Sequence, residues 1–172
     1  MRRPSVLCIG AVGLVLLSFG PLITVPTLVA YNGSASAPIG FYRIADQPIS
    51  IGDLVFVRLP ERVKGLVKER HYLPPDTPLI KRVAGLSGDE ICREKGLILI
   101  NGSVEAAALD RDGEGRKLPI WSGCRTLGRN DMFLLQSHPR SLDGRYFGPV
   151  DRKLVIGRAV KLRFFEQKVA PK

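Results

Sequence analysis

Charge is missing from one end of this chain. No Lys, Arg, Asp or Glu stands between Arg3 and Arg43, although the 172 residues carry 26 basic and 16 acidic side chains overall. Histidine is nearly absent, with only His71 and His138, and the three cysteines show no Cys-x-x-Cys spacing. A four-ligand zinc site is therefore not expected, and neither is another metal or cofactor. The net charge of +10 comes with no helix-turn-helix, zinc-finger or aromatic ribonucleoprotein pattern, so nucleic acid is not the expected partner. Hydrophobic residues at 45% and charged residues at 24% exclude wholesale disorder.

The uncharged stretch has the character of a membrane segment. Ser5 to Ala30 is apolar throughout and longer than the roughly 20 residues a helix needs to cross a bilayer core. A cleaved secretory signal has an apolar core of about 7–15 residues followed by a small-x-small site. Here the run is longer, and Ala35-Ser36-Ala37 is followed by Pro38, which disfavours cleavage. Residues 1–30 therefore read as a basic cytoplasmic start (Arg2, Arg3) and one retained transmembrane helix. That helix is firmest from Ser5 to Gly20, because Pro21 and Pro26 would kink or end it. Residues 31–172 then lie outside the cytoplasm, where their excess of eight basic charges suits anionic lipid headgroups or plain solubility.

Cys8 falls inside the apolar run and is a small hydrophobe there. Cys92 and Cys124 bracket a polar stretch containing Asn101-Gly102, Asp112-Gly113 and Gly123. Two cysteines in a domain beyond a membrane span favour pairing. A bridge would close about 30 residues and stabilise by roughly 3–4 kcal/mol on chain-entropy grounds.

Beyond a linker from Tyr31 to Ala37, the chain breaks into short extended runs separated by turn residues. These are Asp53–Leu59, Leu79–Leu86, Glu90–Arg93, Leu97–Ile100, Met132–Gln136 and Leu154–Phe165. The third and fourth read as a hairpin around Glu94-Lys95-Gly96. Glu61–Glu69 has the only plausible helical pattern. The expected fold is mainly β, a single antiparallel domain.

Few catalytic parts are available. A triad of Ser137, His138 and Asp143 can be written, but adjacent residues on an extended chain point apart and rarely serve as nucleophile and base. A lysine base is the other route, provided that burial pulls its pKa toward neutrality. In Leu79-Ile-Lys-Arg-Val-Ala-Gly85, strand alternation places Lys81 between Leu79 and Val83 on one face, with Ile80, Arg82 and Ala84 on the other. By pattern alone Lys81 is either such a base or a strand-edge lysine that snorkels to water. The serines of Asn32-Gly-Ser-Ala-Ser-Ala-Pro-Ile-Gly-Phe-Tyr42 lie just beyond the membrane segment, in a flexible linker or in a turn fixed by Pro38 and Gly40.

Four blocks in order resemble type I signal peptidases, particularly the conjugal-transfer TraF-type branch. They are Ser36-Ala-Pro-Ile-Gly-Phe-Tyr42, Ile51-Gly-Asp-Leu-Val-Phe56, Lys81-Arg-Val-Ala-Gly-Leu-Ser-Gly-Asp89 and Ser141-Leu-Asp-Gly-Arg-Tyr-Phe-Gly148. The resemblance implies an antiparallel β domain of the signal-peptidase type and a serine endopeptidase working by a Ser/Lys dyad. Ser36 would be the nucleophile and Lys81 the general base. Ser141 would orient Lys81, with Asp143 and Arg145 fixing that block by an ion pair. Ser34 and the Ser36 N–H would hold the oxyanion. Pro38, Gly40, Phe41 and Tyr42, with Ile39, would contribute to substrate binding in shallow apolar pockets. Cys92 and Cys124 would bridge the base of an insertion over about 93–123, as in TraF-type members. This sequence departs from the pattern in two places: one residue fewer separates Ser36 from Pro38, and Gly144 replaces a common serine.

What the resemblance implies about partners is a protein substrate with a small-x-small site, such as a conjugative pilin precursor that is cleaved or cyclised. A bilayer and the proteins of a conjugation or secretion complex would be the others. The location would be a bacterial inner membrane, single-pass, with the catalytic domain periplasmic. A housekeeping signal peptidase and a catalytically idle structural component of a type IV secretion complex are the competing readings.

Overall fold

The computed structural model describes residues 29–74 and 76–162. Residues 1–28 of the expected anchor and the far end of the Leu154–Phe165 run lie outside the described residues, while Val29 and Ala30, the last two residues of the apolar run, belong to a strand and not to a transmembrane helix. Among the described residues no helix is long and apolar enough to cross a membrane.

Among the described residues, eleven strands form two antiparallel sheets. Strands β1 (Val29–Asn32), β2 (Gly40–Ala45), β3 (Leu54–Val57) and β4 (Leu79–Gly85) join β9 (Asp131–Leu134), β10 (Val150–Asp151) and β11 (Val155–Lys161) in a seven-stranded sheet. Its spatial order is β1-β2-β11-β3-β4-β9-β10. Strands β5 (Glu90–Glu94), β6 (Leu97–Ile100), β7 (Ser103–Ala107) and β8 (Gly123–Thr126) form a second sheet in the order β7-β6-β5-β8. Two helices interrupt the strands, α1 (Glu61–Glu69) and the single turn α2 (Gly144–Phe147). The mainly antiparallel β expectation holds, and the helical reading of Glu61–Glu69 matches α1 residue for residue.

Local chemistry explains the small sheet. The two-residue turns Lys95-Gly96 and Asn101-Gly102 both take positive φ, 48° and 81° in the first, 50° and 80° in the second. Paired positive values make the turn type whose twist suits a tight hairpin, and glycine adopts them without steric cost. They set Glu94 opposite Leu97 and Ile100 opposite Ser103, so β7 continues the sheet directly after Asn101-Gly102. Strand β8 returns to β5 with Cys124 opposite Cys92, and the two are joined by a disulfide across a separation of 32 residues.

The strip Tyr31–Ala37 is no linker, which corrects the sequence expectation. Val29 to Asn32 pairs with Gly40 to Arg43, so the segment after the apolar run is strand β1 and a tight connection into β2. Backbone groups at a sheet edge need partners, and β2 supplies them even though the intervening residues are small and polar. Apolar residues collect under α1, where Val63 and Val67 meet Val55, Leu79, Val83 and Leu134. A second group, Ile91, Ile98, Leu127 and Phe133, packs the small sheet onto β9. A third surrounds Tyr42 and Phe56.

Because the bridge closes a loop of 32 residues, replacing both Cys92 and Cys124 by serine should lower unfolding free energy by about 3–4 kcal/mol. Denaturant melts of the full chain in detergent check this. Thiol labelling of Cys92 and Cys124 in the folded protein should also require prior reduction.

Candidate active site

Asn32 organises the serine-bearing turn. Its Oδ1 accepts from the Ser34 backbone N–H at 3.2 Å and from the Ser34 hydroxyl at 2.9 Å. Its Nδ2 donates to the carbonyls of Ser34 and Ala37, each at 3.0 Å, and to that of Pro38 at 3.3 Å. Such side-chain bonds to nearby backbone are what make Asn a turn former. Ser34 Oγ and Ser36 Oγ stand 3.0 Å apart. A hydroxyl has one proton, and that of Ser34 is engaged by Asn32, so Ser36 donates to Ser34.

Lys81 sits in the middle of β4, opposite Val55 of β3. Only 3% of it is exposed, so the snorkelling alternative is excluded. Its Nζ donates to Ser141 Oγ at 2.7 Å. Burial lowers the ammonium pKa from 10.5 to about 8; Asp143 opposes that shift and Arg145 adds to it. Among the described residues Lys81 makes no hydrogen bond to Ser36, but both line one cleft of about 680 Å³, together with Ser34 and Ser141.

The segment from Gln136 to Phe147 holds Ser141 under Lys81. Asp143 Oδ2 accepts from the Gln136 N–H at 3.0 Å and Oδ1 from the Arg145 N–H at 3.1 Å, which caps α2. The Arg145 guanidinium donates to the carbonyls of His138 at 2.8 Å and Pro139 at 3.0 Å, and also to that of Gln136. The expected ion pair between Asp143 and Arg145 is long, with Nε 3.8 Å from Oδ1 and no hydrogen bond to it. Each charge instead organises backbone, the carboxylate taking N–H groups and the guanidinium taking carbonyls. Burial raises the Asp143 pKa, against the pull of Arg145, the Gln136 N–H and Lys81. His138 Nδ1 accepts from the Arg140 N–H, so the Asp143 oxygens and His138 are engaged separately and no triad forms.

Pro38, Ile39, Gly40, Phe41 and Tyr42 do not line the cleft. Tyr42 is wholly buried, its hydroxyl donating to the Pro38 carbonyl at 2.6 Å, because β2 lies inside the sheet between β1 and β11. Phe41, on the other face of β2, stacks against Tyr31 with ring centroids 5.1 Å apart. The walls come from elsewhere: Ala30 to Ser36 of the serine turn, Tyr72 and Leu73 after α1, and Leu109 and Leu118 of the insertion.

The family profile described as signal peptidase, peptidase S26, matches residues 2–164. The chain belongs to that family. It is 34% identical over 136 residues to the plasmid transfer protein TraF of Escherichia coli, which covers 73% of this chain and 77% of that protein. It is 35% identical over 129 residues to the conjugal transfer protein TraF of Agrobacterium tumefaciens (strain 15955), covering 69% and 73%. A solved signal peptidase I from Enterococcus faecalis V583 overlaps 66% of this chain and 98% of its own, with 18% identity and a TM-score of 0.39.

Sequence reasoning missed Asn32, Arg93 and Trp121 in this peptidase-family chain. Asn32 carried a signal, since Asn-Gly marks a turn. Arg93 carried none: it is buried, and donates to the Arg145 carbonyl at 2.7 Å and the Pro119 carbonyl at 3.2 Å, tying the small sheet to the Ser141 segment. At Gly144, Phe133 fills the space that a side chain would need. A Cβ there would lie 2.6 Å from the Phe133 ring and 2.7 Å from the Leu134 carbonyl oxygen. The Trp121 ring N–H donates to the Gly144 carbonyl at 2.9 Å.

Two expectations follow from the buried charge and the crowded glycine. With a folded pKa of about 8 against 10.5 unfolded, Lys81 binds a proton more weakly in the native state, so it destabilises below about pH 8. The penalty fades as pH rises from 8 to 10.5. Lys81→Met should therefore raise unfolding free energy by about 3 kcal/mol at neutral pH, with the gain vanishing near pH 10.5. Gly144→Ala should lower stability by about 1–3 kcal/mol. Denaturant titrations across pH measure both.

Proposed function

We propose that this chain is a membrane-anchored serine endopeptidase with a Ser36/Lys81 dyad, processing a conjugative pilin precursor. One observation carries the reading: the almost fully buried Lys81, its pKa drawn to about 8, rests on Ser141 in the cleft that Ser36 also lines. A neutral amine so placed is a competent base for a serine hydroxyl.

Substrate binding turns the Ser36 hydroxyl from Ser34 toward Lys81. Ser36 Oγ attacks the scissile carbonyl carbon as its proton passes to Lys81 Nζ. The C–N bond then breaks, and Lys81 returns that proton to the leaving amine. Water attacks the acyl ester on Ser36 as one of its protons passes to Lys81; the C–Oγ bond then breaks, Lys81 returns that proton to Ser36 Oγ, and the product acid departs. An amine from the substrate's own chain would attack the same ester and leave a cyclic amide. The Ser36 N–H stabilises the developing oxyanion, and Ser34 does so once its hydroxyl swings away from Asn32. Ser141 orients the Lys81 amine, while Asp143 and Arg145 fix the backbone that presents Ser141.

The apolar run that starts at Ser5, firmest to Gly20, anchors the chain in the inner membrane, N-terminus cytoplasmic, with the cleft on the periplasmic side. Support for the conjugative assignment comes from the relatives named as plasmid and conjugal transfer proteins. A protein precursor, the bilayer and transfer-complex proteins are the partners.

In membranes, Ser36→Ala and Lys81→Met should each reduce precursor processing by about 10³-fold or more. Normal processing by both would leave the idle structural component as the better reading. Because the base acts when neutral, kcat/KM should climb with pH and level off above about 8. Mass spectrometry of the product separates hydrolysis from cyclisation, a cyclic product being one water lighter than the linear one.

A further inference from the structure

The cleft is larger than small-x-small recognition needs. At about 680 Å³ it has room far beyond two small side chains. The surplus is bounded by Tyr72 and Leu73 after α1, Leu109 and Leu118 of the insertion, and Leu142 and Tyr146 beside Ser141. Leu109 is 39% exposed, so this wall offers apolar surface that a ligand would cover.

The insertion wall is a fixed one. Residues 110–118 form a small hairpin, with the Asp112 N–H on the Arg116 carbonyl and the Leu118 N–H on the Asp110 carbonyl, both at 2.9 Å. Asp112 fastens it across the cleft. Its carboxylate accepts from the Tyr72 hydroxyl, from Arg116 Nε at 2.7 Å and from Arg70 Nη1 at 3.4 Å. The Arg116 guanidinium covers the Tyr72 ring at 5.5 Å, and the Leu109 N–H donates to the Tyr146 hydroxyl at 3.1 Å. Arg70 and Arg116 both pair with the single carboxylate, so an apolar group meets no unpaired acid at Asp112.

We propose that this wall is a specificity subsite for one bulky aliphatic side chain, leucine-sized, carried by the substrate near its small residues. Leu109 and Leu118 contact it, and Asp112 is a positioning residue that holds the hairpin in place. The subsite deepens the peptidase reading and rests on it. Its test is a binding experiment that does not require turnover.

Full-length Ser36→Ala protein in detergent is titrated with fluorescein-labelled peptides carrying a small-x-small site, and leucine or serine is scanned from four residues before to four after it. One position should bind leucine about tenfold more tightly than serine. In the same background Leu118→Ala and Asp112→Ala should each shrink that preference to within about twofold. Ile120→Ala, exposed and outside the cleft, should keep it. Equal binding at every position, or a preference that survives Leu118→Ala, overturns the subsite. A leucine preference lost in Leu118→Ala, with no peptide cleaved by protein retaining Ser36, supports the subsite and counts against the peptidase reading alone.

Discussion

Everything around the cleft depends on keeping one ammonium group out of water. Lys81 is buried within a strand whose neighbours on the same face, Leu79 and Val83, belong to the apolar core. Burying a cation costs several kcal/mol unless it is paired, and here its direct partner is a neutral hydroxyl, Ser141. Asp143 offers charge compensation at a distance, yet Arg145 works against it. The amine is consequently poised near neutrality rather than locked as a cation. Stability is surrendered at the position where proton transfer would need it, a pattern common to reactive sites.

Holding Ser141 is the second task, and it falls to backbone rather than to side-chain charge pairing. Arg145 takes three carbonyls between Gln136 and Pro139, and Asp143 takes two N–H groups. A buried guanidinium and a buried carboxylate that do this need each other less than an ion pair would. The insertion joins in from outside, through Arg93 on the Arg145 carbonyl and Trp121 on the Gly144 carbonyl. The disulfide-closed sheet is thereby more than an appendage: it buttresses the Ser141 segment from one side and walls the cleft from another.

Much of this was legible in the residues. Alternation around Lys81, the Glu61–Glu69 helix and the cysteine pair appear in the fold as read, and each Gly-bounded run carries a strand, most with shifted bounds. Strands β1 and β2 did not announce themselves, since Val29 to Asn32 continues an apolar run and Gly40 to Ala45 begins with glycine beside proline. Their pairing is satisfied only across the serine turn, and short polar stretches carry no periodicity for that. Tyr42 misled for a related reason: an aromatic beside the serine looks like a pocket wall, but β2 sits inside the sheet and turns it into the core.

The sequence by itself determined the chemical kinds: a lysine among aliphatics, serines after an uncharged run, and a cysteine pair spaced for a closed insertion. Those follow from side-chain solvation and strand periodicity, which are local. Tertiary structure alone decided which of these kinds meet. Ser141 lies 60 residues from Lys81 along the chain and 2.7 Å from it in space, and Asp112 reaches Tyr72 across 40 residues. Such encounters depend on how the two sheets pack, and packing is set by the whole core at once rather than by any segment.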